Sequence, residues 1–260
     1  MAPERPLRRF LQLRLWLLLL LPGLVAPALA EVIRIGAEDD WYPYTAYREG
    51  RVQGMSVDIL RAAFAATGQS VELLPYPYAR CMEMARSGEL VACFNTSPNA
   101  RIRTDYQLPQ QPLFSDDILL WARQDQADAI TDFSRLDGKR VAVTLGYEYG
   151  PILDQHTGVE RIPVRRDLNG FLMLQRQRVD FTAAYRGTAQ ALFVEHPELA
   201  GQFAPVAVLH RPQLYLSVSR RHPLAAEVLE RFDRGMQQLH HNGRYQQILL
   251  DWQHPSSPAD

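Results

Sequence analysis

The sequence predicts an α/β protein folded as two lobes, and three observations carry that expectation. Short apolar strands alternate with helices over residues 32–94, the pattern of a parallel sheet with crossover helices. The alternation stops at a polar stretch, residues 124–132, and resumes over residues 140–196. Two extended segments, residues 113–123 and 214–219, flank the second series. If the second series is inserted into the first, both segments cross between lobes, and the groove between them becomes the natural ligand site.

The elements follow in order. Residues 32–36 alternate apolar and polar, as a half-buried strand does. Residues 57–66 carry apolar side chains at helical spacing and end before Gly68. A strand over 71–74 is stopped by Pro75 and Pro77. Residues 79–87 form a helix closed by Gly88, as expected at a helix C-terminus. A third strand covers 90–94. In the second series, strand 140–144 is followed by Gly146, with further strands at 162–164 and 179–185. Helices are expected at 168–176 and 188–196, the latter ending before Pro197. Residues 203–209 and 214–219 are extended, and two helices, 224–240 and 244–252, precede a Pro/Ser tail.

The first thirty residues read as a cleavable signal peptide. Arg5, Arg8, Arg9 and Arg14 form a basic start, residues 15–21 a dense apolar run, and Ala28, Leu29 and Ala30 a small-x-small cleavage site. The run is far short of the roughly 18 to 20 residues of a membrane span. That favours cleavage over an uncleaved anchor, ordinary secretion, and a mature chain from about Glu31 with no membrane insertion.

The chain holds 28 Lys and Arg against 29 Asp and Glu; the leader contains four Arg and Glu4, leaving 24 against 28, a net charge of −4. A mildly acidic chain without basic blocks is a poor nucleic-acid binder, and it lacks the basic amphipathic face of a membrane-surface protein. Cys81 and Cys93 are the only cysteines. In an oxidising compartment they either pair, one early in a helix and the other at the next strand, or remain two buried thiols. No metal or cofactor is expected, because the ligands for a metal site are too few. The seven histidines show no HExxH spacing, and neither a Gly-x-Ser-x-Gly elbow nor a Gly-rich phosphate loop occurs.

Trp41, Tyr42, Pro43 and Tyr44, with residues 54–60, resemble the opening of the family 3 bacterial extracellular solute-binding proteins. Residues 80–88, residues 136–143 with Gly146, and residues 232–252 are similar to later blocks of that family, in order. The resemblance implies a two-lobed periplasmic-binding-protein clamshell of type II. Lobe 1 would comprise residues 31–122 and 211–260, and lobe 2 residues 123–210. It further implies a periplasmic, monomeric carrier that delivers an amino acid or related carboxylate to an ABC transporter permease.

The family's carboxylate-binding Arg follows a Thr-x-x-Arg pattern. Here Thr96 and Ser97 precede Arg101, with Pro98 at the strict Thr position, and Arg103 also fits by spacing. Arg101 is preferred because its guanidinium fork would face the Ser/Thr-containing turn. Where the family places an acid for the ligand's amine, Tyr185 stands; a phenol can hydrogen-bond an ammonium but not neutralise it.

Trp41 and Tyr44, in the loop after the first strand, are expected to wall the ligand. Gly146 and Tyr147 would offer backbone N–H groups at the second lobe's first turn, and Arg80 a second cationic contact. Two rival readings are a dehydratase-like enzyme on the same fold, with carboxylates such as Asp39, Asp40 and Glu148, and a sensor acting through a membrane partner.

Overall fold

Strand β1 (Ile33–Glu38) leads into a small hairpin sheet of β2 (Asp40–Trp41), β3 (Thr45–Arg48) and β4 (Arg51–Gln53). Helix α1 (Met55–Ala66), β5 (Val71–Tyr76), α2 (Tyr78–Ser87) and β6 (Ala92–Thr96) complete the first alternation. Then come α3 (Ala100–Asp105), β7 (Tyr106–Gln107) and β8 (Phe114–Ser115). The second series is β9 (Ile118–Arg123), β10 (Arg140–Thr144), α4 (Pro151–Asp154), β11 (Glu160–Val164), α5 (Asp167–Gln175), β12 (Phe181–Tyr185), α6 (Arg186–Glu195) and β13 (Phe203–His210). Strand β14 (Gln213–Ser219), α7 (Ala225–His241) and α8 (Arg244–Gln253) close the chain. This computed structural model describes residues 32–253; the expected signal peptide at 1–30 and the tail from 254 lie outside them.

The strands form two main sheets, one per lobe. The first runs β5-β1-β6-β14-β7, with β8 also on β14, and β1 is parallel to both β5 and β6. The second runs β11-β10-β12-β9-β13, with β10 parallel to β11 and β12, and β9 antiparallel to β12 and β13. The chain passes from the first sheet to the second between Ser115 and Ile118, and back between His210 and Gln213. Ile118–Arg123 is hydrogen-bonded wholly within the second sheet, whereas the expected first lobe runs to residue 122. The two crossings are tied together: Asp117 accepts from Arg211 Nε at 2.5 Å and from Arg186 at 2.8 Å.

Strand β5 continues through Pro75 to Tyr76, past the expected stop at residue 74. It is an edge strand paired only with β1, so the proline's missing N–H removes no ladder bond. The hairpin sheet of β2, β3 and β4 has strands of two to four residues, too short for alternation to reveal.

Apolar burial holds each lobe together. In the first, α7 lies so close to α1 that a Cβ on Gly235 would stand 1.9 Å from the Ala63 carbonyl oxygen, and Phe64 meets Phe232 at 6.0 Å. Cys81 on α2 is disulfide-bonded to Cys93 on β6, Cα to Cα 5.9 Å. In the second, Trp121, Phe171, Phe193 and Phe203 pack ring on ring, and the Trp121 indole donates to the Ala184 carbonyl at 3.2 Å. Among the described residues, no helix is long and apolar enough to cross a membrane.

Candidate functional site

In α/β sheets of this kind, ligands bind beyond the carboxyl ends of the parallel strands. In the first lobe, β1 ends on Glu38 and β6 on Asn95 and Thr96. These strands pair at Gly36 and Cys93, two residues before Glu38 and Asn95. Asn95 has φ 72, a left-handed conformation that asparagine tolerates better than most residues. In the second lobe, β10 ends on Thr144 and β12 on Tyr185.

These ends meet across the cleft. The Tyr147 hydroxyl donates to Glu38 Oε1, and Tyr78 donates to Glu148 Oε2 at 2.9 Å. The Trp41 ring lies 4.9 Å from Tyr185 and 6.1 Å from Tyr147, both edge-on, and Tyr78 lies 5.2 Å from Tyr147. Deeper in the second lobe, Thr144 donates from Oγ1 to Asp167 at 2.6 Å, and from its backbone N–H to the Tyr149 hydroxyl at 2.6 Å. On the side nearest the crossings, Tyr44 donates to Asp116 at 2.5 Å, and Asp116 also accepts from the Gly187 N–H near the start of α6.

The electrostatics are acidic. Burial lifts Glu38 well above the usual carboxylate range; the Tyr147 hydrogen bond opposes this, and the charges of Asp167, Asp39 and Asp40 add to it. Asp167 rises to about 6, again mainly by burial, with the Thr144 hydrogen bond pulling it down and Asp40 pushing it up. Burial takes Glu148 to about 8 against the Tyr78 hydrogen bond and the Arg101 charge.

At the rim the lobes are joined by ion pairs: Arg165 with Asp39 at 2.9 Å, Arg166 with Asp40 at 2.7 Å, and Arg48 with Glu195, Nη2 to Oε2 3.0 Å. Beside the cleft is a cavity of about 180 Å³ whose wall includes Asp40, Asp167, Thr188 and Glu195. A wider groove of about 800 Å³ lies along Tyr44, Phe114, Val194 and Trp252.

Of the residues expected from sequence, Trp41, Tyr44, Tyr147 and Tyr185 come together here, but Tyr147 does so by its ring and hydroxyl, since its backbone N–H donates to the Thr144 carbonyl at 3.2 Å. Gly146 brings its loop against the other lobe, where a Cβ would stand 2.9 Å from that of Ala79. Thr96 is buried just behind, its hydroxyl 3.6 Å from Met82 Sδ. The three arginines stand apart. Arg101 is 74% exposed and 4.0 Å from Asp105; Arg103, also exposed, borders a separate groove with His210 and Arg211; exposed Arg80 reaches over the Tyr76 ring at 5.6 Å.

Sequence reasoning missed Glu38, Tyr78, Asn95 and Asp167, and named Glu148 only for a rival reading. The strand-end rule that selected Trp41 could have found Glu38 and Asn95. Asp167, at the start of a helix, carries no such mark.

Residues 33–255 match the family described as bacterial extracellular solute-binding proteins, family 3. No curated protein matches the sequence. Among solved structures, a histidine kinase sensor domain with similarity to periplasmic binding proteins has a TM-score of 0.75 at 20% identity, covering 86% of this chain and 96% of that one. An ancestral arginine-binding protein bound to arginine has a TM-score of 0.73 at 20% identity, covering 85% and 97%. The substrate binding protein of an amino acid ABC transporter has a TM-score of 0.71 at 17% identity, covering 85% and 98%. Identities this low show the fold, a two-lobed α/β clamshell with a cleft between the lobes.

Proposed function

Because the chain belongs to the bacterial extracellular solute-binding proteins, family 3, we propose that it captures a small polar solute in its interlobe cleft and delivers it to an ABC importer from the periplasm. The observation that carries this reading is that one constellation draws its walls from both lobes. Glu38 and Trp41 of the first meet Tyr147 and Tyr185 of the second, so filling the site and closing the lobes are a single event. The lobes would move about the crossings at Asp116–Asp117 and Arg211–Pro212. Trp41, Tyr147 and Tyr185 would wall the solute, Tyr44 would latch the side nearest the crossings, and Gly146 would bring the second lobe's loop close.

The rim ion pairs are partly exposed, their arginines about half and Asp39 and Asp40 26% and 34%, and surface pairs contribute about 0–1 kcal/mol each. With that contribution small, closure rests mainly on the ring and hydroxyl contacts across the cleft, which an entering solute replaces with its own differential affinity. The neighbours named for arginine and for amino acid transport make amino acids and related small solutes the class to test first.

A thermal-shift screen against amino acids, amines and organic acids tests the reading. A ligand at 100 times its Kd adds about 2.7 kcal/mol of stability, and no shift across the panel would count against solute capture. The likeness to a histidine kinase sensor domain favours one second reading, a sensor that reports the solute to a membrane partner. ATPase stimulation of a reconstituted permease by the loaded protein supports transport; a loaded protein that leaves the permease unaffected and activates a kinase supports sensing. We take the protein to bind its solute unchanged, and a product formed on incubation with purified protein would contradict that.

A further inference from the structure

The charge balance of the cleft is lopsided. Five carboxylates gather there: Glu38, Asp39 and Asp40 around the β1–β2 junction, Glu148 in the loop after β10, and Asp167 at the start of α5. Asp39 and Asp40 are neutralised by Arg165 and Arg166. Glu38, Glu148 and Asp167 instead receive hydroxyls, from Tyr147, Tyr78 and Thr144, which donate a proton's hydrogen bond but bring no charge. Arg101, whose charge reaches Glu148, is itself turned to solvent and Asp105.

A second observation is independent of the acids. Among the described residues, both side-chain polar atoms of Asn95, the Trp41 indole N–H and the Thr188 hydroxyl are buried without a partner. Asn95 is 6% exposed, Trp41 2% and Thr188 3%. Asn95 lies near the end of β6, the strand paired with the one that ends on Glu38, Trp41 packs on the ring whose hydroxyl holds Glu38, and Thr188 shares a cavity wall with Asp40 and Asp167. Buried polar groups are ordinarily satisfied, so unpartnered groups near acids that form no ion pair mark positions for a ligand's own donors and acceptors.

We propose that the solute is a small organic cation, an amine or guanidinium compound, recognised without a carboxylate anchor. Glu38, Asp167 and Glu148 give up their protons as it enters and neutralise its charge, Asn95 and Thr188 take up its hydrogen bonds, and the Trp41, Tyr147 and Tyr185 rings enclose it, since aromatic faces attract cations. This rests on the solute-capture reading and narrows it: arginine would bind here through its guanidinium rather than through its carboxylate.

The test compares agmatine, putrescine, arginine and glutamate by titration calorimetry on the intact protein. Agmatine keeps arginine's guanidinium and lacks its carboxylate. The expected result is that agmatine or putrescine binds at least as tightly as arginine, and that glutamate does not bind. Glu38→Gln and Asp167→Asn should each weaken agmatine or putrescine by about ten- to hundredfold, the usual worth of a charged hydrogen bond. Their unliganded melts should remain cooperative, and if either variant fails to fold, Glu148→Gln replaces it. Arginine or glutamate binding while both carboxylate-free cations fail would overturn the proposal and leave solute capture standing. Variants that bind the cation as tightly as the parent would also overturn it. Silence from all four probes and from the wider panel would sink both readings.

Discussion

At Glu148, burial moves the carboxyl from its ordinary 4.5 to about 8, with the Tyr78 hydroxyl and Arg101 opposing the rise and Asp154 adding to it. At Asp167 the move is from 3.8 to about 6, opposed by Thr144 and helped by Asp40. Glu38, facing Tyr147, Asp167, Asp39 and Asp40, shifts the same way. A carboxyl raised in the folded state stabilises the fold below its unfolded pKa, and that contribution is lost as pH rises through the folded value. The solute-free protein should therefore melt at progressively lower temperature between about pH 4.5 and pH 8, and Glu148→Gln should flatten the upper part of that slope; differential scanning calorimetry at four pH values reads both. Cation affinity should run the other way, tightening as pH rises, because the solute competes with protons for these oxygens. The aromatic residues of this cleft were legible because Trp41 and Tyr44 follow the first strand. The acids were not, since a carboxylate at a strand or helix end gives no sign of burial until the other lobe covers it. Arg101, whose spacing fits an anion contact, lies on α3 with its guanidinium in solvent.

Among the elements, α7 and α6 depend most on a missing side chain. A Cβ on Gly235 would drive α7 off α1 at the Ala63 carbonyl, and Gly235→Ala should cost about 1–3 kcal/mol, the usual penalty for overpacking a tight contact; chemical denaturation measures it. A Cβ on Gly187, near the start of α6, would stand 2.1 Å from the Tyr44 hydroxyl of the other lobe. Gly187→Ala should leave each lobe folded but disfavour their approach, giving a larger radius of gyration in X-ray scattering and weaker solute binding. The longer helices and central strands could be read from periodicity because each has an apolar face to bury; α3 and α4, six and four residues long, were too short to show one. β5 ran past its expected end because an edge position forgives a proline. The helix pair α7 and α8 was visible in the sequence, but the closeness of α7 to α1 through Gly235 was not, because it is set by a partner far away in the chain.

Across the whole molecule, two crossings stitched by Asp117, Arg186 and Arg211 join lobes that otherwise touch through the cleft and its rim. The rim pairs of Arg165, Arg166 and Arg48 are solvent-accessible, so screening should weaken them; raising salt from low to physiological strength should expand the solute-free protein while leaving its melting cooperative. The two-lobed plan could be inferred from the interrupted alternation and its flanking extended segments. The exact place of the first crossing, before Ile118 within the expected 113–123 segment, could not, because β9 reads as an apolar strand in either sheet. The central claim, that solute enters between the lobes, is tested most directly by the indole N–H resonances of Trp41, Trp121 and Trp252. Trp121 donates to the Ala184 carbonyl and Trp252 to Asp58, whereas the Trp41 N–H is buried without a partner. On titration with a bound solute, the Trp41 indole signal should move and the Trp121 and Trp252 signals should hold still. A stationary Trp41, with Trp252 shifting in its place, would move the binding site to the outer groove and contradict the account.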